Sequence, residues 1–416
     1  MWRQIYDEHG SKVDSNSGFF RTLSGDHQTT AKVELLDTDL RKVKDSTIFS
    51  ADRTNVLTNF ITDGNIDVDT TRGARRTAEL TLMNPTAEFT PGTDRYQGGA
   101  GQFTGKIYLN RVVRIWKGLY VVRRPLYVPV GTFMIDVATV IMERNMSLVN
   151  LTMTDLWKKI AKSFASHDIT YAEGAHYNSV IRDMVDYAGI DLDTAVIDGL
   201  GDRPSDESHL QNKFVLKEGE SRGDVLKTLA QRWDIDMYFD PMGRFRTEDR
   251  RSAEDKSVVW RYSTPPIEEG HGGNLITLQR SFNDDNLYNH VVVTWTGKDK
   301  DKTQHRIQRI NTNPSSPLSV DRIGDRVLYK TYENIHTQSQ AERALDRLWK
   351  LKTQLSESIE AQVMANPALE GDDVVRVSEG DFVKVNSNYR LTRFNVPLIS
   401  SLQTIQATKT LDEDNF

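Results

Sequence analysis

Apolar and polar residues alternate along several segments of the first 155 residues, which is typical of β-strands with one buried face. Every second residue is apolar in RTAELTLMN (76–84), and two later segments repeat this pattern: GTFMIDVATVIM and SLVNLTMTD. A polar loop over 84–106 contains Pro and Gly residues that interrupt regular structure. We therefore predict a first β domain over 26–154, preceded by an N-terminal arm over 1–25.

From residue 155 the spacing of apolar residues becomes that of helices. The first predicted helix has apolar residues at i, i+4 and i+8, which are Leu156, Ile160 and Phe164. A second predicted helix ends at Gly189, and a third begins after Ser221, whose side chain can cap its first turn. A hairpin turning at 240–243 follows directly. These elements predict an α/β insert domain over 155–250.

Alternation returns after residue 250 in the segments LITLQRSF and NHVVVTW. A further helix lies within HTQSQAERALDRLWK, where Ser339 and Glu342 have the spacing of a capping box. The predicted parts are a second β segment over 251–335 with an exposed polar excursion over 297–325, a helix with closing strands over 336–408, and an acidic tail over 409–416.

Strands at both ends with helices between them predict an α+β fold with segregated layers. This pattern differs from the regular alternation of strand and helix that accompanies a parallel sheet. We expect seven large apolar residues to lie in the core: Leu80, Leu82, Trp116, Phe133, Ile135, Trp233 and Val375.

Length and composition exclude several classes of protein. A chain of 416 residues is expected to form more than one core. The net charge of −6 provides no overall basic field for nucleic acid. Disulfides and thiolate metal sites are excluded because the chain has no cysteine. No apolar stretch reaches the roughly 20 residues of a membrane span, and the N-terminus lacks a signal-peptide core, so we expect synthesis in the cytoplasm.

Two segments invite a ligand-binding interpretation, but their spacing does not favour it. In GGAGQFTGKI, Lys106 is followed by Ile107 rather than Ser or Thr, and Ala100 occupies the position of the first phosphate-loop glycine. In IEEGHGG, Glu268, Glu269 and His271 could ligate a metal, although the flanking Pro and Gly residues favour a solvated turn.

The remaining candidates for chemistry are histidines and carboxylates. No two histidines are three or four residues apart, so no helix presents a histidine pair to zinc; their positions are 9, 27, 167, 176, 209, 271, 290, 305 and 336. The 59 acidic residues leave a glycosidase-like carboxylate pair open, but the sequence has no recognisable hydrolase motif. We therefore assign no catalytic, cofactor-binding or metal-binding residue and predict that the chain is not an enzyme.

Basic and aromatic residues alternate in the run RVVRIWKGLYVVRRP, over 111–125. It contains Arg111, Arg114, Trp116, Lys117, Tyr120, Arg123 and Arg124. Such a run can bind single-stranded nucleic acid. It is also typical of the solvent face of an amphipathic sheet, or of an arginine-containing subunit contact. The acidic balance of the chain favours the latter two interpretations.

The order of four segments carries a resemblance to a known family: FFRTLSGDHQTTAKVELL, GNIDVDTTRGARRTAELTL, KIYLNRVVRIWKG and VPVGTFMIDVATV. This order resembles the N-terminal domain of minor tail proteins from long-tailed phages of actinobacteria. Two later segments, TLAQRWDIDMYFDPMGRF and NPALEGDDVV, are also similar to that family. The resemblance covers most of residues 19–400, although the 84–106 loop is longer than expected.

The resemblance implies a structural virion protein at the tail tip, with a fold similar to the central hub of contractile-tail baseplates. In that α+β fold, two small β-barrel domains are joined by helix-containing α/β insert domains, so the resemblance makes 26–154 the first barrel, 155–250 an insert and 336–408 a helix with the closing barrel. It implies a homotrimer whose six barrels join a sixfold tail tube to a threefold tip. The implied partners are distal tail and tail-tube proteins, the tape-measure protein, other tail-tip proteins, and genomic DNA in transit through a lumen. A tail-associated cell-wall hydrolase and a carbohydrate-binding host-recognition module remain the alternatives.

Overall fold

A computed structural model provides the structure of the chain. It describes residues 4–7, 10–13, 17–23, 28–37, 39–50, 59–91, 106–144, 146–197, 208–210, 212–233, 235–249, 256–264, 273–284, 287–296, 303–332, 335, 338–353 and 356–409. The structure is mostly β, with 50% of the described residues in strands and 16% in helices. It divides into two compact units, one formed by 1–279 with 360–416 and the other by 280–359.

The helices are α1 (Ser17–Leu23), α2 (Trp157–Ala161), α3 (Tyr177–Tyr187), α4 (Arg222–Trp233), α5 (Val320–Ile323) and α6 (Gln338–Lys352). The first ten strands are β1 (Thr29–Leu36), β2 (Lys42–Ser50), β3 (Asn59–Asp69), β4 (Arg76–Met83), β5 (Val112–Val121), β6 (Arg124–Glu143), β7 (Met146–Asp155), β8 (Ile169–Tyr171), β9 (Phe214–Leu216) and β10 (Ile235–Phe239). The others are β11 (Phe245–Asp249), β12 (Val258–Ser263), β13 (Leu275–Asn283), β14 (His290–Thr296), β15 (Gln304–Ile310), β16 (Val327–Tyr332), β17 (Ser356–Met364), β18 (Val374–Glu379), β19 (Val385–Pro397) and β20 (Leu402–Lys409).

Thirteen strands form one large sheet in the order β13-β17-β20-β19-β3-β2-β1-β5-β6-β7-β4, with β18 and β12 branching from β19. The pairs β2–β3 and β12–β18 are parallel, and the sheet is otherwise mostly antiparallel. The large antiparallel sheet is in line with the expected β domains, but the two small β-barrels that were expected are not closed. Instead, the last residues of β19, Arg393–Pro397, pair with β3 and join the two groups of strands into one sheet.

The predicted strand pattern is confirmed at β4, where residues alternate between buried and more exposed positions. All seven residues expected in the core are buried: Leu80, Leu82, Trp116, Phe133, Ile135, Trp233 and Val375. The predicted N-terminal arm contacts the sheet through Tyr6 and Tyr127, whose backbone groups exchange two hydrogen bonds of 2.9 and 2.8 Å. Ile5 beside it is fully buried.

The helical segment packs α2, α3, α4 and the hairpin of β10 and β11 around one apolar core. The hairpin turn at 240–243 is confirmed, since the backbone N–H of Gly243 donates to Asp240 O at 2.9 Å. Gly189 follows α3 with φ of 72°, as a left-handed helix end requires. The first predicted helix is shorter than expected, and Phe164 is 56% exposed. The chain leaves the helix after α2 because Phe164 instead bridges to Ser221 before α4.

In the unit formed by 280–359, the sheet β15-β14-β16 has α6 packed on one face. The predicted excursion over 297–325 includes strand β15, whose Ile307 contacts this small core. The predicted capping box of α6 is wrong, because Ser339 lies inside the helix and its hydroxyl accepts a hydrogen bond from Arg343 at 3.1 Å. The domain boundaries proposed from the sequence stay predictions. No helix among the described ranges is long and apolar enough to cross a membrane.

Candidate functional site

Strand β6 is long enough to leave part of its edge open. It pairs with β5 up to Met134 and with β7 from Phe133 to Glu143. Among the described residues, the half of β6 from Val137 to Glu143 therefore pairs only with β7. We call this half of β6, with the first residues of β7, the β6–β7 arm (137–144 and 146–150). Its open edge is about 20 Å long, from the rise per strand residue.

The β6–β7 arm also exposes apolar side chains. In the strand register, Met83 of β4 lies opposite Leu148, which lies opposite Ile141. Residues directly opposite each other share a face of the sheet, so the three form one apolar row. Val137 and Met146 lie on the same face and are 51% and 45% exposed. Apolar side chains beside an open strand edge favour association with another chain.

The root of the β6–β7 arm is fixed by polar contacts. Asp136 forms an ion pair with Lys158 of α2 and accepts a hydrogen bond from the Thr154 hydroxyl. A bulge between Ile135 and Val137 interrupts the register at the same point. Bulges bend strands and increase their twist, so this one sets the direction in which the arm leaves the sheet.

A cluster of buried charged groups joins the strands to the helical segment. The backbone N–H of Arg76 donates to Asp155 Oδ2 at 3.0 Å. The Arg76 guanidinium donates to the carbonyl oxygen of Phe239 at 2.5 Å and pairs with Glu370. Burial raises the pKa of Asp155 to about 6, although hydrogen bonds from Arg76 and Trp157 oppose the shift. One arginine thus connects β4, β7, β10 and the turn before β18.

Arg75 makes a second set of contacts beside Arg76. Its guanidinium pairs with Asp372 at 3.0 Å and lies 4.0 Å from the ring centroid of Tyr238. Burial raises the pKa of Asp372, and it raises the pKa of Tyr238 to about 12, with a further contribution from Glu248. We call Arg75, Arg76, Asp155, Glu370 and Asp372 the charged junction.

The hairpin turn between β10 and β11 contacts the sheet directly. The carbonyl oxygen of Met242 accepts a hydrogen bond from Arg114 at 2.9 Å, and that of Pro241 accepts one from Thr132 at 2.9 Å. Burial alone would raise the pKa of Asp240, but hydrogen bonds from Arg246 and the backbone of Arg244 hold this pKa below its ordinary value. The ionised carboxylate therefore organises a turn whose backbone carbonyls contact β5 and β6.

The chain shares its fold with tail proteins. The tail protein from Neisseria meningitidis matches with a TM-score of 0.61 and 9% identity, covering 92% of this chain and 97% of that chain. The prophage MuSo2 tail protein from Shewanella oneidensis gives 0.58 and 9%, over 92% and 99% of the two chains. A prophage tail protein from Listeria monocytogenes gives 0.53 and 9%, over 91% and 94%. No protein-family model and no curated protein sequence matches this chain.

Within this tail-protein fold, the basic run of β5 does not form one surface. Arg114 and Lys117 are three residues apart in a strand and therefore point to opposite faces. Lys117 is fully buried, and its Nζ donates to Leu398 O at 2.8 Å and to Ser400 O at 3.3 Å. Burial lowers the pKa of Lys117 to about 7. Arg123 and Arg124 are exposed at the turn between β5 and β6.

The aromatic residues of the same run also serve the core. The indole N–H of Trp116 donates to Glu34 Oε2 at 2.8 Å, and Lys32 Nζ lies 4.7 Å from the ring centroids of both Trp116 and Tyr127. Arg111 lies over the ring of Tyr108 at 5.0 Å. These contacts, together with those of Arg114 and Lys117, place most of the run in packing rather than in a basic surface for nucleic acid.

His176 and His209 come together in the structure, a pair that sequence spacing did not indicate. The rings of His176 and His209 lie 4.8 Å apart edge to face, and His176 Nδ1 accepts the backbone N–H of Asn178 as the N-cap of α3. Burial, with a smaller contribution from His209, lowers the pKa of His176. In the part of the chain that the structure describes, no three metal-ligating side chains come together. Glu268, Glu269 and His271, the glycine-rich stretch before Lys106, and the end of the acidic tail lie outside the described residues.

Proposed function

We propose that this chain is a structural protein of a phage tail, located at the tail tip of the virion, and that it acts by assembly rather than by catalysis. Two independent observations support this proposal. The first is a fold shared with tail proteins over more than 90% of both chains for the three structures described above. The second, which carries the proposal, is the β6–β7 arm with its open edge and the exposed side chains of Val137 and Met146 beside it.

In this proposal the chain is the tail-tip hub, related to minor tail proteins of actinobacterial long-tailed phages. Three copies form a ring that joins a sixfold tail tube to a threefold tip and contacts the distal tail and tape-measure proteins. DNA passes through the ring during ejection. The net charge of −6 supports this role, because an acidic lumen would repel phosphates.

Assembly by the β6–β7 arm has a simple physical basis. An open strand edge presents backbone N–H and C=O groups that a neighbouring strand can pair with. The apolar row of Met83, Leu148 and Ile141 would be removed from water in the same contact. The charged junction holds the helical segment against the sheet, so that a ring built through the arm would position that segment as well.

The oligomeric state of the full chain tests this proposal. We expect native mass spectrometry to show a trimer of 47.4 kDa chains. Val137→Lys places a charge in the apolar face of the β6–β7 arm and is expected to give monomers. The matched control is Val122→Lys, because Val122 is 90% exposed at the turn between β5 and β6. A monomeric parent chain, or a trimer unchanged by Val137→Lys, would contradict assembly through the arm.

A further inference from the structure

A groove of about 400 Å³ lies between strand β9 and helix α4, away from the β6–β7 arm. One wall is formed by Phe214 and Val215. Consecutive strand residues point to opposite faces of a sheet. A groove lined by two consecutive residues of β9 therefore lies beside the edge of this strand and not over one of its faces. In the described part of the chain β9 pairs only with β8, and no residue of β8 lines the groove. The groove therefore presents an unpaired strand edge.

The opposite wall is one stripe of α4. Ser221, Val225 and Leu229 are spaced four residues apart and all line the groove. This stripe extends over about 12 Å, from the rise per helical residue, and β9 extends over about 10 Å. The two walls have matching lengths. They accommodate roughly three residues of an extended chain, since each such residue spans about 3.3 Å.

The walls are held in place by contacts outside the groove. The ring of Phe214 stacks on Tyr171 with centroids 6.0 Å apart, and the Tyr171 hydroxyl donates to Asp183 Oδ2 at 2.6 Å. Burial, with the hydrogen bond to Asp183, raises the pKa of Tyr171, so the hydroxyl remains a donor. The Ser221 hydroxyl donates to Ala161 O at 3.1 Å. A groove with fixed walls loses less conformational entropy on binding.

Charge at the groove favours one kind of occupant. Glu220 and Asp224 line it together with the apolar residues. Glu220 Oε2 accepts the backbone N–H of Lys217 at 2.8 Å, and Asp224 Oδ1 is 3.4 Å from Lys227 Nζ. The second oxygen of each carboxylate has no hydrogen bond within the described ranges, so both can accept one from Lys or Arg. Segment 198–207 of this chain complements the groove poorly, because it has four acidic residues and one arginine.

We propose that this groove binds an extended segment of a partner protein in which apolar residues alternate with Lys or Arg. The segment pairs with β9 as a third strand of the β8–β9 sheet and places its basic side chains beside Glu220 and Asp224. Its apolar side chains contact Phe214 and Val225. This mode of recognition uses backbone pairing for affinity and alternate side chains for specificity. It goes beyond assembly through the β6–β7 arm and does not depend on it.

Selection from a displayed library of random twelve-residue peptides against the full chain tests the proposal. We expect enriched peptides to alternate apolar and basic residues. Thr228→Trp, which fills the groove, and Asp224→Lys, which reverses its charge, should each weaken the best peptide at least ten-fold in fluorescence anisotropy. Arg182→Trp and Asp186→Lys are matched controls at exposed positions of α3 and should leave its affinity unchanged. Circular dichroism checks that all four variants are folded.

Three outcomes would overturn the proposal. The first is a library that yields no peptide sensitive to Thr228→Trp, and the second is an enriched set that is acidic or unpatterned. The third is a peptide that binds only after 198–207 is replaced by Gly and Ser, since this would make that segment the occupant. N-methylation of the peptide's backbone amides should also abolish binding if the segment pairs with β9. Trimer formation should be unchanged in Thr228→Trp, which separates this test from that of the arm.

Discussion

Removing the Arg76 side chain tests whether the charged junction stabilises the contact between the sheet and the helical segment. Arg76→Ala removes the ion pair with Glu370 and the donor to the carbonyl oxygen of Phe239. The Arg76 side chain is 1% exposed and that of Glu370 is 20% exposed, so the pair is largely shielded from water. Breaking a buried ion pair by removing one partner costs about 3–5 kcal/mol, because the remaining charge is left uncompensated.

A matched control lies four residues away on the same segment. Arg72 pairs with Asp69 at 3.0 Å, but its side chain is 58% exposed. Exposed ion pairs contribute roughly 0.2–1 kcal/mol, because the charges are screened and the side chains lose entropy. Arg72→Ala should therefore lower the free energy of unfolding by less than about 1 kcal/mol. The two variants compare the same chemical change in buried and exposed surroundings.

Native-state hydrogen exchange measures the loss of stability in Arg76→Ala separately for each segment of the chain. A loss of 3–5 kcal/mol corresponds to roughly a 100- to 5000-fold faster exchange of the most protected amides, at 1.4 kcal/mol per ten-fold. We expect this acceleration in peptides from β4, β7 and β10, with little change in peptides from β14. The reasoning is refuted if Arg76→Ala accelerates exchange no more than Arg72→Ala does.

Two further predictions concern buried side chains. The folded-state pKa of Lys117 is about 7 against an ordinary value of 10.5, so between these values the unfolded chain binds more protons and stability rises with pH. From pH 7 to pH 9, the free energy of unfolding of the parent chain should rise by about 2 kcal/mol more than that of Lys117→Met, as measured by urea denaturation. Equal pH dependence in the two proteins would contradict a neutral buried amine. Trp233 stacks on Tyr177 with centroids 3.9 Å apart, so Trp233→Ala should cost about 3–5 kcal/mol. Phe164→Ala, at an exposed position, should cost less than about 1 kcal/mol by the same measurement, and equal losses would contradict the burial of Trp233.

Local patterns predicted much of the secondary structure, because strands and helices repeat with fixed periods. The alternation around Leu80 and the turn at Asp240 were predicted in this way, and the structure confirms both. Phe164 shows the limit of the method. Its spacing from Ile160 is helical, but a backbone bridge to Ser221 ends the helix first. That bridge joins segments 57 residues apart, which no local period can indicate.

The charged junction could not be predicted for the same reason. Arg75 and Arg76 are typical of a solvated turn when only their neighbours are considered. Their partners Asp155 and Glu370 lie 79 and 294 residues from Arg76 in sequence, and only the folded sheet brings them together. Lys117 likewise suggested a basic surface, whereas its amino group is buried and donates to the carbonyl oxygen of Leu398. Burial of long basic side chains depends on distant backbone groups that sequence spacing does not identify.

Strand β6 was the part of the candidate site that the sequence predicted best. The alternating segment through Val140 and Ile141 was predicted as a strand, and β6 contains it. What the sequence could not indicate is that β5 stops pairing with β6 at Met134. The open edge therefore follows from unequal strand lengths, and unequal lengths are a property of the whole sheet.

The central claim is that this chain is a structural component at one end of a phage tail. Gold-tagged antibody against the chain, viewed by negative stain on purified virions, tests it most directly. The account predicts gold at a single tail tip on each labelled particle. Gold on the capsid or along the whole tail, or no label on virions that carry intact tails, would contradict it.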